Sequence, residues 1–335
     1  MIHRKLIAIG FIALAVALSI PASASTLYNF TTVNGPGNNG GGTTVNGINN
    51  NGDVVGFSSD NAATPTLFTN FIRAADGTVI ALSTGGDPLA MANGINTSRT
   101  VVGMASNGTA FTLSAGTLTT LPQVNGSTVS ETAFGVNDSG LIVGQFTDNA
   151  TGTTPGFLFN GSAFAILNPT AFATVVNAQG INNNGLVTGF YSSDGVHQHG
   201  FFYDFGTGHF TLAPDPNIPN LVLTQFLGIN DHGLAVGYYQ LPDGSQHGLL
   251  FDTATQSYSF LDDPNAALTG LSITQITGVN NAGDIAGFYV DANTGVQRGF
   301  FATPAAVAAP EPATFGLLLG ALAPMLVAHR RLRRG

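Results

Sequence analysis

The chain has 335 residues with 44 glycines, no cysteine and no tryptophan, and a formal net charge of −9. Without cysteine there are no disulfides, thiolate metal centres or cysteine nucleophiles. Residues 25–309 contain no lysine. Arg73, Arg99 and Arg298 stand there against every acidic residue of the chain except Glu311, a balance of −14 that excludes nucleic acid and anionic lipid as partners of this region.

In chain order, the first element is a targeting segment. Arg4 and Lys5 give a short basic start, residues 6–20 are an unbroken apolar run, and Pro21 closes it. Ala22 and Ala24 then supply small side chains at the two positions a signal peptidase reads, which predicts a signal peptide over 1–24. A retained membrane helix, the alternative, needs a longer span.

Residues 27–33 form a lone strand candidate, Tyr28-Asn29-Phe30 at its centre. Six copies of one unit follow: GINNNGDVVGF from Gly47, GINTSRTVVGM from Gly94, GVNDSGLIVGQF from Gly135, GINNNGLVTGFY from Gly180, GINDHGLAVGYY from Gly228 and GVNNAGDIAGFY from Gly278. The pattern is G-[IV]-N-x-x-G-x-x-x-G, with Arg99 in place of the turn glycine in the second copy. A period of 41 to 50 residues marks a solenoid or a propeller. Asn and Gly in the central turn suit a hairpin. The next strand is apolar at consecutive positions (Val54, Val55), as expected of a strand covered on both faces. Its glycine (Gly56, Gly103, Gly144, Gly189, Gly237, Gly287) predicts a close backbone approach.

A further strand candidate follows each hairpin, as GFLF at Gly156, GFFY at Gly200, GLLF at Gly248 and GFFA at Gly299, and a fourth comes after most of them. Four strands per unit is the content of a propeller blade. The last copy stops one strand short, and the lone strand at 27–33 matches the missing position. The expected fold is therefore all-β, a six-repeat β-propeller over 25–303 closed by its N-terminal strand. A β-solenoid is the alternative.

The repeat resembles the HAF-type extracellular repeat of bacteria, in which a GINxxGxxVG element precedes a His-Ala-Phe element. Here the second element reads His199-Gly200-Phe201 and His247-Gly248-Leu249, with Arg298 at the histidine position of the last copy. The resemblance runs over most of 44–303 and implies an extracellular location more than an activity.

Little catalytic chemistry is legible. His197 and His199 share a strand face with Asp194 and His209 nearby, but zinc needs three or four converging ligands, and the repeat position of His199 and His247 reads as an exposed blade edge. The segments 291–295 and 148–152 echo calcium loops without the distal acid, and they suit ordinary turns. Calcium stays open as an alternative; no other cofactor is expected. There is no G-x-S-x-G nucleophile elbow, and no carboxylate pair stands out as a glycosidase dyad.

The last elements are a linker, 304–312, and a tail, 313–335. Pro310-Glu311-Pro312 precedes sixteen uncharged residues, 313–328, and then Arg330, Arg331, Arg333 and Arg334. A helix over 313–328 spans about 24 Å, a marginal single transmembrane anchor with its arginines held in the cytoplasm. The Pro-Glu-Pro triplet, the short apolar helix and the terminal arginines together resemble the PEP-CTERM sorting signal of Gram-negative bacteria. That resemblance implies cutting at the motif by the membrane protease exosortase, with release or transfer to the cell surface. A plain tail anchor is the alternative. The expected function is that of an exported, non-enzymatic surface or extracellular-matrix protein, associated with exopolysaccharide or biofilm. Its expected partners are signal peptidase and exosortase during processing, with no nucleic acid. A glycan-binding propeller is the alternative, and an extracellular polymer hydrolase a third reading.

Overall fold

A computed structural model describes residues 28–305 except 38, 62–66, 125–127, 171–172 and 268–270. The expected signal peptide with Ala22 and Ala24, the motif Pro310, Glu311 and Pro312, and the tail with Arg330, Arg331, Arg333 and Arg334 lie outside the described residues. Among the described residues, no helix is long and apolar enough to cross a membrane.

The strands form six four-stranded antiparallel sheets, one for each copy of the repeat. Blade 1 is typical: Gly40–Ile48 innermost, then Val54–Asp60, Leu67–Arg73 and Val79–Ala81 outermost. The inner strands of blades 2 to 6 are Met91–Ile95, Thr128–Val136, Val175–Ile181, Leu223–Ile229 and Thr274–Val279. In blade 6 the outermost strand is Tyr28–Val33, paired antiparallel with Gln297–Pro304, Tyr28 opposite Pro304 and Val33 opposite Gly299. The N-terminal strand closes the ring as expected, and the closure sets aside the solenoid alternative.

Each seam between blades is a separate apolar core, and consecutive residues of the second strand serve the two seams on either side. Val54 packs with Val33, Val45, Phe71 and Ala286 toward blade 6, while Val55 packs with Ile72, Ala92 and Phe111 toward blade 2. Ile142 and Val143 divide in the same way. This is the physical basis of the doubled apolar positions: a blade interior has two buried faces.

The second-strand glycine lies opposite a large apolar residue of the third strand in every blade, as Gly56–Phe71, Gly103–Phe111, Gly144–Phe157, Gly189–Phe201, Gly237–Leu249 and Gly287–Phe300. All six partners are fully buried. A Cβ at Gly144 would meet the Phe157 ring at 2.7 Å and run into the Thr132 carbonyl on the other side. The expected close approach is to an inner-strand carbonyl in all six blades, joined at Gly103, Gly144 and Gly287 by a phenyl ring, and it falls in the strand interior.

Candidate functional site: the axial channel

The inner strands surround an axis with three levels. At its middle stand the first glycines of the six repeats. A Cβ on Gly180 would lie 2.9 Å from the Cα of Gly228, and one on Gly228 would lie 2.9 Å from the Cα of Gly278. The series continues through Gly47, Gly94 and Gly135, so these glycines pack backbone to backbone in a closed ring. They line a narrow throat of 70 Å³.

On one side of the throat the motif asparagines join the blades. Asn182 Oδ1 accepts the backbone N–H groups of Asn184 (3.0 Å) and Leu186 (2.9 Å), which shapes its own turn. Its Nδ2 donates to the carbonyl of Asn230 in the next blade at 2.9 Å. Asn49, Asn96, Asn137 and Asn230 donate in the same way to Asn96, Asn137, Asn182 and Asn280. Asn280 turns its amide to Asp284 instead. These side chains are buried, and their polar atoms are matched within the ring. The asparagines therefore act across blades as well as within the hairpin. The positive φ of the turn falls on glycine, 80° at Gly185, and on Arg99 at 58°.

Beyond them, the next residues form a polar rim. Asp138 accepts the N–H and hydroxyl of Thr97 at 2.8 and 2.7 Å, and Asn183 bridges Asp138 and Asp231 through one amide nitrogen at 2.9 and 3.1 Å. Asn281 donates to Asp231 and receives support from Asn50 across the closing seam. Burial works against ionisation of Asp138, but the Thr97 and Asn183 donors outweigh it and hold its carboxyl below the usual range.

On the other side of the throat the channel widens into a cavity of 210 Å³. Every inner strand carries a β-bulge immediately before its ring glycine, between Val45 and Gly47 in blade 1 and at the equivalent residues of the rest. The bulge re-aims the intervening side chain. Asn46, Asn93, Phe134, Gln179, Leu227 and Thr277 thus line the cavity, with Gln225, Gln275 and Phe288 completing the wall. None of these nine side chains is ionisable. Several amides are oriented by fixed partners: Asn46 Nδ2 donates to the Ala92 carbonyl (3.0 Å), Asn93 Nδ2 to the Ala133 carbonyl (3.0 Å), Gln275 Nε2 to Gln246 Oε1 (2.7 Å), and Gln225 to Gln198. Positioned amides beside two phenyl rings suit a neutral ligand with hydroxyl groups.

Sequence reading missed Asn46, Asn93, Phe134, Gln179, Leu227 and Thr277 because they occupy the variable slot directly before the repeated glycine. That slot is the signal: in a unit otherwise repeated six times, the residue facing the axis changes from blade to blade.

The histidines do not converge. His197 pairs with Asp194 at 2.7 Å, His199 with Asp215 at 2.9 Å and His247 with Asp262 at 2.7 Å, while His209 starts an exposed outer strand. Contrary to the exposed-edge expectation, the His247 side chain is only 21% exposed and stacks on Tyr239 with ring centroids 5.2 Å apart. Its hydrogen bond to Asp262 raises its pKa. No group of three or more metal-ligating side chains occurs among the described residues. The Asp291 carboxylate accepts the N–H groups of Asn293 and Thr294, and Asp148 accepts that of Ala150, so each supports its own turn.

No protein-family model matches the chain, and no curated protein matches its sequence. Among solved structures it is similar to a candidate gluconolactonase (10% identity, 83% of this chain and 92% of that one, TM-score 0.47). It is also similar to the fucose-specific lectin of Aleuria aurantia (12%, 65% and 76%, TM-score 0.42) and to a candidate TolB of Agrobacterium tumefaciens (14%, 58% and 67%, TM-score 0.43). With every TM-score below 0.5, the propeller assignment rests on the strand order and ring closure described above.

Proposed function

We propose that this chain is an exported, non-enzymatic surface or matrix protein whose propeller binds neutral extracellular polysaccharide in the axial cavity. The signal peptide carries it across the inner membrane, the tail holds it there transiently, and exosortase acts at Pro310-Glu311-Pro312. The observation that carries the binding role is the cavity wall, which Asn46, Asn93, Gln179, Gln225 and Gln275 share with Phe134 and Phe288 and no charged side chain. Amide pairs match vicinal hydroxyls, and phenyl rings match the C–H face of a sugar. The negative balance of residues 25–309 disfavours uronate-rich chains.

A glycan array probed with the purified full chain tests this reading. Saturable binding to neutral oligosaccharides, weakened about tenfold by Gln179→Leu, is expected, since one lost buried hydrogen bond is worth about 1.4 kcal/mol. Binding that is absent from every neutral glycan leaves a purely structural matrix protein. Turnover abolished by one carboxylate substitution reveals a hydrolase.

A further inference from the structure

The closing seam differs from its counterparts. In blades 4, 5 and 6 the residue five before the ring glycine is Val175, Leu223 or Ile273, and each forms a parallel bridge to the preceding blade at or just before its third strand, at Thr154, Gln198 and Gln246. In blade 1 that position is Gly42, preceded by Gly40 and Gly41, and the residue across the seam is Gln297. A Cβ on Gly42 would sit 3.0 Å from the Gln297 Cβ, and Gly40, at φ 73°, has nothing within 4 Å of its Cβ position. A Cβ on Gly41 would run into the Ser59 carbonyl, so the run of glycines lets the backbone lie close along a groove of 330 Å³ between blades 6 and 1, larger than the axial cavity.

The groove has an aromatic wall. Phe57 and Phe68 pack with ring centroids 4.9 Å apart, and both are half-buried. Gln297 donates one amide hydrogen to Thr44 Oγ1 at 2.6 Å, which fixes its amide, and Asn61, whose Nδ2 donates to the Gly40 carbonyl at 3.4 Å, also lines the groove. No lining side chain is ionisable.

From this geometry we infer that the closing seam is a second carbohydrate site, separate from the axial cavity. It takes one neutral sugar ring of a polymer stacked on Phe57 and Phe68, with hydroxyls on Gln297 and Asn61. The inference rests on the polysaccharide reading for the class of ligand, but not for the place. A sugar seated there touches blade 1 and blade 6 together, so binding braces the closure of the ring.

The test is calorimetric titration of the purified full chain with maltotetraose and cellotetraose, beside Phe68→Ala, Gln297→Leu and the axial variant Gln179→Leu. Gln297→Leu keeps side-chain volume, so it reports on the site even if Phe68→Ala fails to fold. Two sites per chain are expected for at least one tetrasaccharide. Either seam variant should weaken one of them about tenfold or more and abolish the ligand-induced rise in Tm that it causes, leaving the other site intact. If Gln179→Leu changes neither site while the seam variants remove one, the axial reading fails and the seam site stands. Seam variants that bind like the parent chain, or a parent chain that binds neither sugar, overturn the seam site.

Discussion

Arg99 shows how one substitution in a repeat is accommodated. It takes the turn position that is glycine in the other five copies and keeps the positive φ that position demands. A left-handed backbone costs a side-chain-bearing residue about 1–2 kcal/mol. The side chain offsets that cost through a bidentate ion pair, with Nε and Nη2 each 2.9 Å from the buried carboxylate of Asp53 in the preceding blade. That pairing lowers the Asp53 pKa. Arg99→Ala keeps the strain and strips the buried Asp53 carboxylate of its partner, so it should destabilise the chain. Arg99→Gly relieves the strain and should cost about 1 kcal/mol less than alanine, an order that urea denaturation can check. His247 gives a pH test. Its folded pKa lies above the ordinary 6.5 because the Asp262 carboxylate accepts a hydrogen bond from the protonated ring. The stabilisation is therefore complete below pH 6.5 and disappears as pH rises through the higher folded value. Tm measured from pH 6 to pH 9 should fall more for the parent than for His247→Gln; parallel curves would contradict the assignment.

At the scale of the element, the closing strand is the point of greatest consequence. Tyr28–Val33 supplies Phe30, whose ring meets the buried Phe300 edge-on at 5.3 Å, and Val33, which enters the core of the closing seam. Phe30→Ala should cost about 2 kcal/mol, whereas Asn29→Ala, on the exposed alternate position, should be near neutral; thermal melts of the two separate these outcomes. The position of this strand was legible in the sequence because the sixth copy lacks a strand and an orphan with the matching Tyr-Asn-Phe stands ahead of the first. Repeat number, hairpin turns and the paired apolar residues were legible for the same reason: each follows from local spacing. The asparagine links were not, since Asn182 and Asn230 are 48 residues apart and only ring closure makes them neighbours. The partners of His199 and His247 were missed because Asp215 and Asp262 follow the outermost strand and fold back over the blade edge. Nor could period alone reveal the bulges that turn Asn46 or Gln179 to the axis.

The molecule as a whole is a ring whose throat is closed by backbone and whose wider end carries neutral amides and phenyl rings. The proposed function places that end against an extracellular polymer, and the proposed destination is the cell exterior. Processing at both ends is the claim on which the destination depends. The most direct measurement is the intact mass of the protein recovered from the surface or medium of the producing cells. The expected species starts at Ser25, after cleavage behind Ala24, and lacks Arg330, Arg331, Arg333 and Arg334. A full-length chain in the cytosol, with Met1 and the terminal arginines retained, would contradict it.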